Sequence, residues 1–196
     1  DVDSDPFAGF GSDQYTDARQ TIVQAILGSE MSLHFDHLTK FKTHSSSGAF
    51  DTPDRAGVRE LLTMCLHAAD VSNPSKPWAH CSNWAARVMM EFFTQGDKER
   101  ELGLVVSPFM DRYKTDIAQC QIGFVDFLIR PFFEEWTGWL GDHTPHEILG
   151  HITANLAIWR QDGEGALGEQ MLAAVKTHLQ REQTPVYSSL PFTNAP

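Results

Sequence analysis

An acidic residue at the end of an apolar stretch is the first feature of this sequence that could do chemistry. Residues 61–70, LLTMCLHAAD, contain no turn residue and no strict alternation, which predicts a buried helix that carries His67 and Asp70 into the interior. The Ser-Asn-Pro at 72–74 ends that helix. A buried carboxylate is costly unless it is paired or binds a metal. Asp70 is therefore either a ligand of a divalent cation or a helix-end residue bonded to backbone N–H groups.

A glutamine and a phenylalanine on one predicted helix face form a second candidate. Gln121 and Phe124 are spaced i, i+3, and the neighbouring Gly123 lets another group approach closely. A buried glutamine amide needs partners for its oxygen and its NH₂, and the same amide can offer a donor and an acceptor to a purine edge. A phenylalanine can stack on the base, for about 1–3 kcal/mol in other nucleotide sites. A polar contact inside the core explains Gln121 equally well.

Three further patterns favour structural interpretations. Residues 163–168, GEGALG, match a dinucleotide-loop pattern, but a helical pattern precedes them, which favours a helix–helix turn. Residues 146–151, HEILGH, have one residue too many for the H-E-x-x-H zinc motif and are interpreted as carrying surface histidines. His34 and His37 share a face at i, i+3, so a ligand pair stays open beside packing or solvent contact. His67 is interpreted as a hydrogen-bonded core residue.

The composition is that of an acidic chain with enough apolar residues for one domain. The net charge is −11, from 15 lysines and arginines against 26 aspartates and glutamates in 196 residues. Such a chain does not bind nucleic acid or anionic lipid through its overall field. The three cysteines are odd in number and far apart, so we expect a reducing compartment, the cytoplasm. No apolar run approaches the ~18 residues of a membrane span. Because the first residue is Asp1, we expect a piece of a longer protein.

The elements that position these residues are all predicted to be helices. No segment alternates like a strand, so we predict an all-α, compact multi-helix domain over residues 15–182. An acidic flexible segment, 1–14, precedes it, and an extended Pro- and Ser-rich tail, 183–196, follows. A dimer is compatible with this organisation.

Helix boundaries follow from capping residues, glycines and prolines. The first helix is predicted from Thr16 to about residue 41, with a kink at Gly28. The next is capped by Thr52, a long one follows Pro77 and ends at Gly103, and another spans about 113–129. Further helices are predicted over HEILGHITANLAIWRQ after Pro145 and over GEQMLAAVKTHLQ, and Pro131 is expected to break the chain between helices. The predicted apolar faces consist of Ile22, Val23, Ile26 and Leu27 in the first helix and of Val58, Leu61, Leu62 and Cys65 in the second.

Four blocks of this sequence belong together: HAADVSNPSKPW (67–78), WAARVMMEFFTQGDKERELG (84–103), SPFMD (107–111) and QIGFVDFLIRPFFEEW (121–136). In their order and spacing they resemble the class I cyclic nucleotide phosphodiesterases. MSLHFDHL (31–38) resembles the family's preceding helix. The resemblance implies a phosphodiesterase-type helical catalytic domain with two divalent metal ions, Zn²⁺ and Mg²⁺ or Mn²⁺. In such a domain a metal-bridging hydroxide attacks the phosphorus of a cyclic nucleotide.

The resemblance also implies roles for individual residues. Asp70 matches a metal ligand, and Gln121 matches the glutamine that reads the purine edge. Phe124 and Val88 match the two sides of a hydrophobic clamp on the base. The remaining matched residues line or cover the pocket: Asn73, Trp84, Phe109 and Met31.

One part of the family pattern is missing from this sequence. The motif H-N-x-x-H-A-x-D-V and the His-Asp pair that follows it, which supply the general-acid histidine and three metal ligands, do not occur. The sequence therefore corresponds to the C-terminal half of the catalytic domain. One carboxylate cannot hold two metals, since zinc sites need about three or four protein ligands. We expect that these residues alone neither bind zinc tightly nor hydrolyse cyclic nucleotides.

Three functions are compatible with these observations. The first is hydrolysis of 3′,5′-cyclic nucleotides to 5′-monophosphates in signal transduction by the complete domain. In its D-x-S-N-P context Asn73 resembles the cAMP-preferring members of the family, which implies a preference for cAMP over cGMP. The second is a catalytically inactive relative that binds nucleotides or another protein, and the third is an unrelated helical scaffold.

Overall fold

In a computed structural model of the chain, residues 5–143, 147–161, 168–170 and 172–173 are described. They are mainly helical and contain no strand, which confirms the predicted all-α class. The helices are α1 (Ser12–Gly28), α2 (His34–Ser46), α3 (Arg55–Asp70), α4 (Trp78–Glu101), α5 (Ile117–Phe124), α6 (Arg130–Leu140) and α7 (Glu147–Gln161). Short 3₁₀ turns span Met31–Leu33, Asn73–Ser75 and Gly141–His143, and a π-helical segment spans Val125–Ile129. Among these described helices, none is long and apolar enough to cross a bilayer.

The chain divides into two compact units. The first comprises residues 1–75 and 126–150 and contains α1, α2, α3 and α6. The second comprises residues 76–125 and 151–196 and contains α4, α5 and most of α7.

In the first unit, α1 packs directly against α3. At Gly28 the two helices approach so closely that an added Cβ would lie 2.4 Å from Cγ2 of Thr63. Arg59 of α3 also forms an ion pair with Asp17 of α1. These contacts fix α3, the helix that ends at the candidate metal ligand.

Aromatic side chains form the interior of the first unit between α2 and α6. Phe41 of α2 is completely buried. Its ring centroid lies 5.3 Å from Trp136 and 5.5 Å from Trp139, both of α6, and 5.4 Å from Phe50. Aromatic rings in this range bury large apolar areas and add favourable ring–ring contacts.

The core of the second unit joins α4, α5 and α7. Trp159 of α7 is buried, and its ring meets the edge of Trp78 with a centroid distance of 5.1 Å. Asn155 of α7 donates from Nδ2 to the Lys76 carbonyl at 2.8 Å. The buried cluster that packs these helices together consists of Ala85, Met89, Phe93, Ile117, Ala118 and Trp159.

The first predicted helix is two helices in the structure. α1 begins at Ser12, four residues before Thr16, and the Thr16 hydroxyl donates to the Ser12 carbonyl within the helix instead of capping it. Residues 12–14, expected in a flexible segment, are therefore helical. α1 ends at Gly28, and α2 begins at His34 after a 3₁₀ turn. The kink expected at Gly28 is a complete break, because the chain turns where glycine allows its close approach to α3.

The apolar stripe of α1 is present but faces away from the described core. Its four side chains are at least one-third exposed, namely Ile22 at 44%, Val23 at 39%, Ile26 at 58% and Leu27 at 66%. The apolar stripe predicted for this helix therefore lies on a face that the described part of the chain leaves exposed.

Three other boundaries differ from the prediction in position. Asp54, and not Thr52, caps α3, because its carboxylate accepts from the N–H of Gly57 at 2.8 Å. α5 begins at Ile117, since Asp116 caps it in the same way. The helical path then continues to Leu140 through the π-helical segment, so the break expected at Pro131 is wrong. The missing N–H of Pro131 removes one α-helical hydrogen bond, and a π-helical segment beforehand accommodates that loss.

The end of α4 agrees with the prediction. The helix ends at Glu101, and Gly103 adopts a positive φ of 69°, which glycine tolerates at a helix C-terminus. The expected tail, 183–196, lies outside the described residues, as do Pro145, His146 and most of the predicted turn at 163–168 and of the helix after it.

Candidate functional site

Asp70 is the last residue of α3 and is exposed. Its carboxylate makes no hydrogen bond or ion pair within the described residues, so neither the expected burial nor the alternative helix-end bonding is found. In the described ranges, no group of three or more histidine, cysteine, aspartate or glutamate side chains is placed to hold a metal. The residues present therefore do not fit a complete metal site, and Asp70 offers one free ligand only.

The helix that presents Asp70 is less buried than its apolar sequence predicts. Met64, His67 and Ala68 face the core, but Val58 and Leu62, both expected on the buried face, are 42% and 45% exposed. Leu66 is 40% exposed, and Cys65, also expected on the buried face, is exposed. Periodicity correctly predicted an apolar face here but could not predict whether the described chain covers it.

A buried pair of histidines fixes the beginning of α2 to α3. Nδ1 of His34 lies 2.9 Å from Nε2 of His67, and Nδ1 of His67 lies 3.3 Å from the Ser29 carbonyl oxygen. A carbonyl only accepts, so Nδ1 of His67 carries a proton, its Nε2 is the acceptor, and the N–H of His34 donates to it. Both rings are fully buried and pack on Phe132 at centroid distances of 5.6 and 5.4 Å. His67 is thus the hydrogen-bonded core residue that the sequence predicts.

The surroundings of this histidine pair favour its neutral form. Burial lowers the pKa of His34, and the nearby His67 lowers it further. Burial also lowers the pKa of His67, against the opposing effect of the Ser29 carbonyl. Met31 precedes His34 by three residues and Asp70 follows His67 by three, so the pair positions the segments that carry both candidate site residues.

The other two first-unit candidates lie in short turns. Met31 begins a 3₁₀ turn and is 42% exposed. Asn73 begins the turn after α3 and is half-buried, next to the buried Pro74. Pro74 thereby fixes the backbone that follows Asp70.

In the second unit, Gln121 is buried on α5 at 8% exposure. Its side-chain amide makes no hydrogen bond to another described residue. A Cβ added at Gly123, which lies on the opposite face of α5 from Gln121, would meet nothing within 4 Å. Phe124, one helical turn from Gln121, is half-buried. The donor and acceptor of the Gln121 amide are thus unpaired in the part of the chain that the structure describes.

Two further candidates lie on the neighbouring helix of the same unit. Trp84 and Val88 of α4 are spaced i, i+4, and Trp84 is 51% exposed while Val88 is half-buried. The buried Ala85 lies between them in sequence, and it belongs to the same core cluster as Ala118, which precedes Gln121 by three residues. Because α4 packs on α5, the pair Trp84 and Val88 and the pair Gln121 and Phe124 lie beside the same core.

The loop that carries Phe109 is anchored to the end of α4. Glu99 accepts from the Ser107 N–H at 2.7 Å and from the Ser107 hydroxyl at 2.8 Å. At Gly96 the loop comes so close that an added Cβ would lie 1.9 Å from the Met110 carbonyl oxygen. Phe109 itself has φ +67°, unusual for a bulky residue, and its side chain is 61% exposed. The anchored loop thus presents an aromatic ring to the outside.

Ion pairs continue this anchorage. Arg112 bonds to Asp97, and Arg100 bonds to Asp111 at 2.9 Å. Hydrogen bonding to Arg112 lowers the pKa of Asp97, and hydrogen bonding to Gln95 followed by Ser107 lowers that of Glu99. These carboxylates stay ionised at neutral pH and keep the loop in place.

The sequence matches the model of the 3′5′-cyclic nucleotide phosphodiesterase family over residues 2–149. The chain belongs to that family. The dual specificity calcium/calmodulin-dependent 3′,5′-cyclic nucleotide phosphodiesterase 1B of Bos taurus is 40% identical over 131 residues, which are 67% of this chain and 24% of the relative. Phosphodiesterase 1C of Mus musculus, with the same description, is 35% identical over 133 residues, 68% of this chain and 18% of the relative.

Two solved structures resemble this phosphodiesterase chain. LmjPDEB1 in complex with IBMX has a TM-score of 0.71 and 31% identity, covering 81% of this chain and 48% of its own. The phosphodiesterase domain of the RhoPDE fusion protein from the choanoflagellate Salpingoeca rosetta has a TM-score of 0.69 and 25% identity, covering 86% and 50%. The chain thus spans about half of these structures and about a quarter of the first-named curated relative.

Sequence reasoning did not identify two contacts that hold the segments carrying candidate residues. The contact between His34 and His67 joins residues 33 positions apart, and the sequence gives no signal for their pairing. The bond between Ser107 and Glu99 had one weak signal in the sequence, which is that the charged end of α4 is followed by a proline-containing loop.

Proposed function

We propose that this chain forms part of an enzyme that hydrolyses 3′,5′-cyclic nucleotides to 5′-nucleoside monophosphates. Family membership supports the reaction class, and the arrangement of α4 and α5 supports nucleotide recognition. The observation that carries the proposal is the amide of Gln121, which belongs to a largely buried residue and has no hydrogen-bond partner among the described residues.

Base recognition is assigned to the second unit. Gln121 would offer its amide oxygen and NH₂ to the purine edge, and Phe124 and Val88 would contact the two faces of the base. Trp84 would line the pocket, and Phe109 would cover it. Stacking on aromatic rings contributes about 1–3 kcal/mol per base in other nucleotide sites, whereas an amide adds selectivity through its donor and acceptor.

The first unit contributes Asp70, Asn73 and Met31. Asp70 would bind a divalent metal ion, and Zn²⁺ with Mg²⁺, or Mn²⁺, are the ions we propose for the complete site. The described residues supply one ligand only, so the remaining ligands must come from elsewhere. Met31 would contact the substrate as an exposed apolar side chain.

We propose that cAMP is favoured over cGMP. Asn73 is half-buried, and its side chain makes no hydrogen bond within the described residues. Its amide could therefore offer a donor and an acceptor to a purine edge, and the preference for adenine rests on the resemblance of its D-x-S-N-P context to cAMP-preferring members of the family. We also propose a cytoplasmic location, because all three cysteines are free and none is paired in the described residues.

Nucleotide binding by the chain tests this proposal. We expect isothermal titration to detect binding of cAMP, with weaker binding of cGMP, and Gln121→Ala to weaken cAMP binding by about tenfold or more, because a buried amide contact is lost. Gln119→Ala is the matched control, since Gln119 lies exposed on the same helix and its side chain makes no described bond. Equal effects of the two substitutions, or no nucleotide binding by the unsubstituted chain, would refute base recognition by Gln121.

A further inference from the structure

One serine holds the loop between α4 and α5 through two hydrogen bonds to a single carboxylate. Ser107 donates its N–H to Oε2 of Glu99 at 2.7 Å and its hydroxyl to Oε1 at 2.8 Å. Glu99 also accepts from Nε2 of Gln95 at 2.9 Å, and no lysine or arginine of the described chain pairs with it. The bonds from Gln95 and then Ser107 lower the pKa of Glu99, so the carboxylate is ionised at neutral pH. The loop is thus attached to a negative charge that is balanced by hydrogen-bond donors alone.

The residues after Ser107 form a strained turn. The Met110 N–H donates to the Ser107 carbonyl at 3.1 Å, which places Pro108 and Phe109 at the two central positions. Phe109 has φ +67° at the position where such a turn usually has glycine. A strained conformation persists only where surrounding contacts hold it, and the bonds of Ser107 to Glu99 are such contacts.

Ser107 also has the sequence context and the setting of a modification site. It is followed by Pro108, and this is the one Ser-Pro pair in the chain. One large class of protein kinases phosphorylates a serine where a proline follows it. The segment lies outside any helix, Val105 is 93% exposed, and Phe109 is exposed as well. A kinase can therefore draw this segment into an extended form without unfolding a helix.

We propose that Ser107 is a phosphorylation site for a proline-directed protein kinase and that its phosphorylation releases residues 105–110 from α4. In this step Oγ of Ser107 attacks the γ-phosphorus of ATP, the bond between that phosphorus and ADP breaks, and the hydroxyl proton leaves through the kinase's base. The phosphoserine has lost the O–H that donated to Glu99. It also carries a charge of about −1.5 to −2 next to an ionised carboxylate. Both changes oppose the contact that attaches the loop.

The positive charges of this region are already engaged. All four lysines and arginines between residues 96 and 114 pair with carboxylates in the structure. The pairs are Lys98 with Glu101, Arg100 with Asp97 and Asp111, Arg112 with Asp97, and Lys114 with Asp111. A phosphate on Ser107 would have to break one of these pairs to gain a cation, so repulsion from Glu99 decides the outcome.

Kinase treatment of the full chain tests the acceptor. The chain is incubated with a mitogen-activated protein kinase, ATP and Mg²⁺, and phosphorylated peptides are sequenced by mass spectrometry. We expect phosphate on Ser107, which fragmentation distinguishes from the Thr-Pro pairs at Thr52, Thr144 and Thr184. A synthetic peptide of residues 101–114 serves as the unfolded reference. Absence of phosphate from Ser107 of the chain, whether or not the peptide is phosphorylated, would overturn the proposal.

Amide hydrogen exchange tests the release of the loop. In the phosphorylated chain we expect residues 105–110 to exchange about tenfold faster or more, since hydrogen bonds to a charged acceptor are lost. Exchange in α3, which belongs to the other unit, should stay unchanged. Unchanged exchange of residues 105–110 would overturn the proposal. Slower exchange would also overturn it, because it would show that the phosphate orders the loop.

Three variants assign the effect to the contact between Ser107 and Glu99. Ser107→Ala keeps the Thr-Pro pairs, so its exchange should be the same before and after kinase treatment. Glu99→Gln removes the repelling charge and should reduce the acceleration several-fold. Glu101→Gln is its matched control, because Glu101 is exposed on the same helix and bonds Lys98 instead of Ser107, and it should keep the full acceleration. Circular dichroism verifies that each variant is folded, and equal acceleration in the two glutamine variants would overturn the proposal.

A titration with cAMP separates this inference from the proposed function. The release of the loop does not depend on that function, whereas a loss of cover over the base by Phe109 does. If both hold, the phosphorylated chain should bind cAMP more weakly than the unmodified chain. Accelerated exchange in a chain that binds no cAMP in either form would refute the proposed function and support the phosphorylation site. Binding of cAMP with unchanged exchange after phosphorylation would support the proposed function and overturn the release of the loop.

Discussion

Two completely buried histidine side chains lie at the centre of the first unit's candidate segments. His34 and His67 are buried, bonded to each other and packed against Phe132, and burial lowers the pKa of both. Protonating either ring in place would bring a charge into a buried aromatic environment. The stability of the segments around Met31 and Asp70 therefore depends on pH.

Stability should fall as the pH drops below about 6.5, the ordinary pKa of histidine. Both histidines have lowered pKa values in the folded chain, so the unfolded chain binds protons in this range that the folded chain does not. The free energy of unfolding is then greatest above about pH 6.5 and declines towards the folded pKa values, by up to about 1.4 kcal/mol per pH unit for each histidine. Urea unfolding of the unmodified chain and of His67→Gln at pH 7 and about pH 5.5 measures this difference.

His80→Gln is the control for that experiment, because His80 is exposed on α4. We expect His67→Gln to reduce the pH dependence of unfolding and His80→Gln to leave it nearly unchanged. The same pH dependence in all three proteins would show that the buried pair does not control it.

At the level of elements, glycines decide where helices and loops approach closely. Gly96 of α4 admits the carbonyl of Met110, and Gly28 of α1 admits the side chain of Thr63. Both glycines lie in helices, where alanine would otherwise be preferred by about 1 kcal/mol. At these two positions the close contacts make glycine more favourable than alanine.

Gly96→Ala should release the loop that carries Phe109. The added Cβ would overlap a backbone carbonyl, which cannot move without displacing the loop. We expect destabilisation by about 1–3 kcal/mol and faster proteolysis between Gly103 and Asp111. Gly138→Ala in α6 is the control, since its Cβ would meet nothing within 4 Å, and it should be neutral or stabilising. Slow proteolysis of Gly96→Ala, equal to that of the control, would contradict the anchorage.

Gly28→Ala should destabilise the packing of α1 on α3 by about 1–3 kcal/mol. The added Cβ would lie 2.4 Å from Cγ2 of Thr63, so removing that methyl group with Thr63→Ser should restore most of the loss. The serine hydroxyl can keep the bond that Thr63 donates to the Arg59 carbonyl. Thermal unfolding of the single and double variants measures the coupling, and purely additive effects would refute the proposed contact.

The sequence predicted the positions of helices correctly where nearby residues determine their ends. Pro77 and Gly103 correctly delimited α4, and the apolar repeat correctly placed α3 before Asp70. The ends of α1 and α3 were misplaced because several residues nearby could cap, and the structure alone selects Asp54 over Thr52. The path through Pro131 was misjudged because a π-helical segment absorbs the proline.

The candidate site was predictable in part. The side chains proposed to recognise the base follow from the resemblance, and the structure adds that Gln121 is largely buried without a hydrogen-bond partner among the described residues. Periodicity could not show that Leu62 and Leu66 stay exposed, because an apolar face looks the same whether its partner is present or absent. The pairing of His34 with His67 is a long-range contact that no local pattern encodes.

At the scale of the whole molecule, the chain is a phosphodiesterase-family chain that spans about half of the solved structures it resembles. It contributes nucleotide-recognition candidates in the second unit and a single candidate metal ligand in the first. One carboxylate is too few to hold a metal ion, so the described residues form an incomplete metal site.

Hydrolysis of cAMP by the chain, measured with added Zn²⁺ and Mg²⁺ and again with a chelator, tests this most directly. We expect no turnover by the chain, because one carboxylate cannot assemble the metal site. Chelator-sensitive hydrolysis by the chain alone would contradict the conclusion that its described residues are an incomplete site.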